Sequence, residues 1–556
     1  MMHGAEPNHT IQADNGTLSI YESSNQPQPH LTLHPAIYLS RVDFTSIDAA
    51  GAEDVPTFFP PPKRWGVLDS GDSMRWFDLT VIVIYLVGIT LFGARFRHNQ
   101  QTLKDYFLGG KTTPWWAIAF SIVSAETSTL TVIGTPALAF DGNLGFLQVV
   151  FGYLLARLII ITLFLPHYFR GEMFTAYELM ERRFGQSIRK LTAGCFLVLR
   201  AMAEGVRVFA ISIVISIILG TDNIVSILLI VCLTLFYTFE GGMTAVIWTD
   251  VIQMFLYVAG AILSFFVILG QIPGGWNHVA QVAGAAHKFQ IFDFSLPTEP
   301  GFFSKPYTFL AGIIGGCFLT TASHGTEQLM VQRLLSAKNE REGRLALMAS
   351  WGVIFFQFSL FLIIGICLFV YYQDHGLARP PKGDRIYPEF LWNQLPPGIA
   401  GLTIAAILAA AMSNLSAALN SLASTTVMDF WKPLSRRVRS DADYLKLARM
   451  ITLVWGAILF AIALVAQQIT SVLEAGLGIA SIIYGALLGV FLLGLLFKGP
   501  GEKAAMAGML AGLITNLYVR FGTDIKWTWY VMIGSLVTVT VGLLVGLFDQ
   551  QKEKAV

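Results

Sequence analysis

Apolar stretches long enough to cross a bilayer recur along nearly the whole chain after Met74, near 76–94, 115–139, 144–168, 190–219, 222–239, 245–270, 308–325, 346–372, 398–428, 447–466, 476–497, 504–521 and 528–548. A helix needs about 20 apolar residues to span the hydrocarbon core, where its backbone must satisfy its own hydrogen bonds. A β-barrel instead needs alternating segments of about ten residues, and none appear. The chain therefore reads as an all-α polytopic membrane protein with about thirteen transmembrane helices. Composition agrees, since 54% of residues are hydrophobic and only 13% charged, far from the balance of a soluble chain. Asp141-Gly142-Asn143, Thr221-Asp222-Asn223 and Glu240-Gly241-Gly242 read as turns between helices.

Residues 1–73 are polar and Pro-rich, with no apolar stretch long enough for a signal peptide. They read as an N-terminal extension, disordered or foreign to the native protein, because Met74 stands directly before the first span. Residues 74–556 form the membrane domain. Loops after odd-numbered helices, with the C-terminus, hold about 22 Lys and Arg against roughly 7 in the others, which puts the N-terminus outside and the C-terminus in the cytoplasm of a cell (inner) membrane. On this reading Arg182-Arg183, Arg189-Lys190 and Arg436-Arg437-Arg439 are topology signals, and a net charge of +1 gives no reason to expect nucleic acid as a partner. Cys195, Cys232, Cys317 and Cys367 all fall within spans and lack CxxC spacing, so neither disulfides nor zinc are expected.

Polar residues inside the spans mark where function lies. From Ala410 to Ser424 small hydroxyl and amide residues crowd one helix, with Ser413, Ser416 and Asn420 on a single face. Such a face packs closely against a neighbour or offers oxygens to a hard cation. Ionisable groups at membrane depth are costly and point to pairing or function. Here they are Glu126, Arg157, Arg200, Glu204, Arg207, Asp250, His324 and Glu327. Arg200, Glu204 and Arg207 recur at helical spacing, so they form either a self-neutralising ladder or a ladder with a guanidinium turned to a solute. Asp250, a few residues into its span, also has the position of a helix cap.

Two spans read as interrupted. In one, Ser121 through Thr131 lead to Gly134-Thr135-Pro136, and Pro136 is expected to free carbonyls near Val132 and Ile133. In the other, Gly312, Gly315 and Gly316 precede Thr320, Thr321 and Ser323. Broken helices in corresponding places of two halves point to an inverted-repeat transporter.

Four segments carry a family resemblance: YFLGGKTTPWW at 106–116, YTFEGGMTAVIWTDVIQ at 237–253, GTEQLMVQRLLSAKN at 325–339 and AAAMSNLSAALNS at 409–421. Together, from about 74 to 522, they resemble the sodium/solute symporter family, with its sodium-coupled sugar, proline, pantothenate, sialic acid and iodide transporters. The resemblance implies a LeuT-type core of 5+5 helices in inverted repeats, here 115–272 and 308–497, and sodium as the coupling ion. It carries the main sodium site to the carbonyls of Ser124 and Thr127 with Ala410, Ser413 and Asn414. The family usually has Ser or Thr where Asn414 stands, and an amide oxygen can also ligate a hard cation. A second sodium site of some members maps to Asp250, Ser413 and Ser416, with Ala417 where a third hydroxyl is expected. The sugar-binding positions of the sugar carriers read about Val150, Thr320 and Ser323, so that site is not reproduced.

The expected function is thus a sodium-coupled symporter that imports a small organic solute by alternating access. Arg207 favours a carboxylate-bearing solute, since its planar fork matches a carboxylate. The substrate contacts are expected to be Glu126, Thr131, Arg207, Thr320 and Ser323, and the partners the solute, sodium and the lipid bilayer. A neutral sugar or polyol is the alternative solute. A non-transporting membrane sensor is the alternative class, although only about eight residues follow the last span. No GxGD, GxSG or HExxH motif argues for an intramembrane enzyme.

Overall fold

The computed structural model describes residues 10–14, 17–21, 76–95, 111–170, 176–237, 243–431 and 441–555. Residues 106–110 of the first motif, the Glu240-Gly241-Gly242 turn and the basic cluster at 436–439 lie outside them. The chain divides into two units, Met1–Gly71 and Asp72–Val556. In the first, β1 (Thr10–Asp14) and β2 (Thr17–Tyr21) pair antiparallel, with Ile11 opposite Ile20 and Ala13 opposite Leu18. The sequence between them, Asn15-Gly16, is a strong hairpin signal that the expectation of disorder passed over.

The second unit is a helical bundle. In chain order it comprises α1 (Trp76–Ala94), α2 (Trp115–Glu126), α3 (Thr129–Asp141), α4 (Leu147–Tyr168), α5 (Ala176–Phe184), α6 (Gln186–Leu219), α7 (Asn223–Tyr237), α8 (Met243–Gln271) and α9 (Gly275–Ala285). It continues with α10 (Phe309–Gly325), α11 (Gln328–Leu335), α12 (Glu340–Asp374), α13 (Ile386–Gln394), α14 (Ile399–Thr425), α15 (Asp441–Ala466), α16 (Val472–Leu496), α17 (Glu502–Gly522) and α18 (Tyr530–Ala555). Among the described residues seven helices, and an eighth span if the bent pair α2–α3 counts as one, are long and apolar enough to cross a membrane. Five shorter apolar helices fall on the remaining expected spans. Helices apolar on most of their circumference must bury one side in protein and give the other to lipid, and α4 and α16 do so.

The first expected interruption occurs, but not at Pro136, and the expected break among the glycines of the span 308–325 is absent. The chain bends by 64° between α2 and α3, where Thr127 and Ser128 are extended. The amide of Thr127 still donates to Val123, and the next helix starts on the Ser128 carbonyl. Pro136 instead sits inside the continuous α3, against Gly365 of α12. The chain breaks instead at Thr326-Glu327, after an intact α10. The glycines of α10 serve close approach: a Cβ on Gly316 would lie 2.1 Å from the Val149 carbonyl oxygen of α4. That contact fixes α10 against α4, and both helices line the cavity described below.

The connection 375–398, which carries α13, runs past the ends of α3 and α16. Arg379 forks onto Asp141 at the end of α3, with bonds of 2.8 and 2.7 Å. Lys382 donates to the Gln467 carbonyl, and Asp384 accepts from the Val472 amide at the start of α16, at 3.1 Å. Burial pushes the Asp384 carboxyl up to about 6, against the opposing pull of the Val472 amide and Lys382, while Asp141 and Glu474 add to the rise. A carboxyl that holds its proton more tightly in the fold than when exposed stabilises the fold fully below its ordinary value near 4, and that contribution is lost as pH rises through about 6. Relative to Asp384→Asn, the purified wild-type protein is expected to lose up to about 3 kcal/mol of stability between pH 4 and 7. Thermal unfolding of both proteins across that range measures it, and parallel curves would show that Asp384 does not titrate there.

Candidate functional site

The bend between α2 and α3 frees backbone oxygens. Among the described residues no backbone amide donates to the carbonyls of Ser124, Ala125, Glu126 or Thr127, all at a buried turn. Carbonyls freed at membrane depth need a neighbour or a cation. Thr127 is held from the side, its hydroxyl accepting from Gln357 Nε2 of α12 at 2.7 Å, and Tyr257 of α8 lies beside Ser124 and Thr127. Ala410, Ser413 and Asn414 all lie on α14, with Asn414 buried and Ser416 half-buried.

Asp250, the expected core of a second ion site, already has a cation. Its Oδ2 lies 3.0 Å from Arg333 Nη2 and accepts from the Ser121 hydroxyl at 2.7 Å. Arg333 Nε donates to that same hydroxyl at 3.0 Å, closing a buried triangle of α2, α8 and α11. This is an interior ion pair rather than a helix-end cap.

A cavity of about 120 Å³ opens where the α2–α3 and α10–α11 pairs meet α4, α6, α12 and α16. Glu126, Thr131, Arg207, Thr320 and Ser323 all line it. Two ion networks border it. In the first, Glu126 Oε2 lies 2.8 Å from Arg157 and 3.2 Å from His324 Nε2, while Arg157 also donates to Ser350 and to the Tyr153 carbonyl. In the second, Glu204 Oε1 pairs with both Arg200, at 3.1 Å, and Arg207. Arg200 further reaches Glu327 at 3.0 Å, and Glu327 accepts from the Tyr484 hydroxyl. Three arginines (157, 200, 207) thus face three glutamates (126, 204, 327), with His324 beside Glu126.

The two ladder arginines differ. Arg200 is 4% exposed and shared between two carboxylates. Arg207 is 21% exposed and has only the shared Glu204; as in Arg200, its buried Nε has no hydrogen-bond partner among the described residues. Apart from these groups the walls are apolar, with Leu130, Phe146, Leu199, Phe358, Leu473 and Leu477 among them. Sequence reading did not single out Tyr484, because a tyrosine in an apolar span carries no signal until Glu327 is placed opposite it.

A model of the sodium:solute symporter family matches residues 106–512. The sodium/sialic acid symporter SiaT of Proteus mirabilis (strain HI4320) is 30% identical over 485 residues, which cover 86% of this chain and 96% of that relative. The sodium-coupled monocarboxylate transporter 2 of Bos taurus is 27% identical, covering 81% of this chain and 73% of its own length. A solved substrate-bound, outward-open structure of a sodium-coupled sialic acid symporter matches with a TM-score of 0.74 at 29% identity, over 85% of this chain and 98% of the other.

Proposed function

Because this chain belongs to the sodium:solute symporter family and is an integral membrane, sodium-coupled solute symporter, we propose that its solute is a small carboxylate with a largely apolar body. The observation that carries this reading is Arg207, whose guanidinium borders an apolar cavity with one donor buried and unused. A carboxylate takes two parallel N–H bonds from such a fork, whereas a hydroxyl leaves most of the desolvated charge unanswered. Relatives described as sialic acid and monocarboxylate carriers support the same chemistry. A neutral sugar or polyol is the second reading, since Ser128, Thr131, Tyr153, Thr320, Ser323 and Tyr484 also line the cavity, but none of these hydroxyls answers the Arg207 charge.

Sodium, as co-transported ion, sits between the freed carbonyls of Ser124 and Thr127 and the Ala410, Ser413 and Asn414 positions of α14. Hard cations take such oxygens at membrane depth. Asp250 is committed to Arg333, so coupling rests on this one ion. With the N-terminus outside, as the loop charges suggest, the segment 375–398 faces outward and the solute moves inward with sodium.

Purified protein in proteoliposomes with an inward sodium gradient tests the reading. Radiolabelled small monocarboxylates are expected to accumulate, and unlabelled acids to compete far better than their neutral amides. Amides or sugars competing equally well would sink the carboxylate assignment. In the same vesicles Ser413→Ala is expected to raise the sodium concentration for half-maximal uptake and, by reciprocal linkage, to weaken solute binding.

A further inference from the structure

Helix α14 begins without a cap of its own. Its N-cap is Gly398, with φ +87° and no side chain to accept from the first amides. The missing acceptor comes from α1. Asp78, fully buried in the first turn of α1, accepts from the Gly398 amide at 2.6 Å and from the Gly401 amide at 2.8 Å, both through Oδ1. An anionic oxygen on the amides of a helix N-terminus satisfies orphan donors and complements the helix dipole. The two helices also touch closely there, since a Cβ on Gly401 would lie 2.7 Å from the Asp78 carbonyl oxygen, and one on Gly398 would lie 2.8 Å from the Phe77 ring.

Two bonds from one oxygen to amides at different heights fix both the rotation and the axial position of a helix end. From Gly401, α14 runs unbroken to Ser413, twelve residues or about 18 Å along a rigid rod. What holds the first turn therefore holds the register of the ligand face, and α14 packs against α3 just past the Thr127-Ser128 break.

We propose that Asp78 is a positioning residue for sodium: through its trans cap, α1 sets the register of α14 and with it the affinity of the ion site. The proposal rests on the reading of α14 as the sodium helix, which Ser413→Ala tests separately. Asp78→Ala is expected to raise the half-saturating sodium concentration roughly three- to tenfold, the scale of a lost N-cap. The maximal rate at saturating sodium should change little. Asp78→Asn keeps the Oδ1 acceptor and ranks with Asp as a cap, so it should stay near wild type. Gly401→Ala keeps the carboxylate but forces α1 off α14, and should raise half-saturation as well.

Sodium-dependent uptake in proteoliposomes and sodium-dependent thermal protection of the purified full chain both read this effect. Wild-type half-saturation in a folded Asp78→Ala protein, while Ser413→Ala shifts it, would overturn the proposal and leave the sodium helix standing. If neither variant shifts it, the sodium assignment falls and the proposal with it. Loss of maximal rate alone in Asp78→Ala, or equal damage by Asn and Ala, would make the contact a general structural one and overturn the positioning role. Should Asp78→Ala not accumulate, Gly401→Ala with unchanged half-saturation overturns it instead.

Discussion

Arg333→Met is expected to cost on the order of 3–5 kcal/mol and to leave little folded protein in the membrane, because it removes the cation that lies 3.0 Å from the buried Asp250 carboxylate. Both side chains are nearly fully enclosed, at 2% and 3% exposure, so water screens little of the loss. The Ser121 hydroxyl would lose one partner of its triangle at the same time. Arg333→Met combined with Asp250→Asn should recover most of the stability, since the carboxylate charge is then gone. Expression and thermal unfolding of the single and double variants give the interaction energy. A single variant with wild-type stability would mean that Asp250 finds another counter-charge, and the one-ion reading would then need revision.

Arg207→Lys should weaken solute binding by about 1–3 kcal/mol, because it keeps the charge and loses the fork. That corresponds to a roughly five- to 150-fold rise in the solute concentration for half-maximal uptake, with sodium dependence changing much less. The competing reading makes Arg207 only a counter-ion for Glu204. On that reading Arg207→Met damages folding, and adding Glu204→Gln restores it. Thermal stability and sodium-driven uptake of the double variant separate the two: stability and full transport both restored would rule out the carboxylate role. Restored stability with lost transport would support it. Arg200 is a poor substitute for this test, because its two carboxylates make any change there structural.

The sequence makes the spans and the site's ingredients legible because membrane insertion is read from local apolarity, and because intramembrane charges are too costly to be incidental. Glu126, Thr131, Arg207, Thr320 and Ser323 come from three different spans and still meet in one cavity. The exact break of a helix is less legible. Pro136 loses one amide bond, but α3 absorbs the loss in close contact with Gly365. The chain opens instead at Thr127-Ser128, where Gln357 of a distant helix takes hold of the Thr127 hydroxyl. The glycines of α10 likewise look like a hinge from within one helix, and like a contact surface only once α4 is beside them. Partnerships between residues far apart in the chain, such as Arg333 with Asp250 across 83 positions or Asp78 with Gly401 across 323, leave no local pattern at all.

The pairing of three arginines with three glutamates around the cavity bears on what drives transport. If, as proposed, one sodium ion loads together with one monocarboxylate, their charges cancel, so loading adds no net charge to the carrier. Membrane voltage, worth about 2.3 kcal/mol per elementary charge at 100 mV, then does no work on the cycle. On that proposed cycle accumulation follows the sodium concentration ratio, so that a tenfold sodium gradient would hold at most about a tenfold gradient of the acid at any membrane potential.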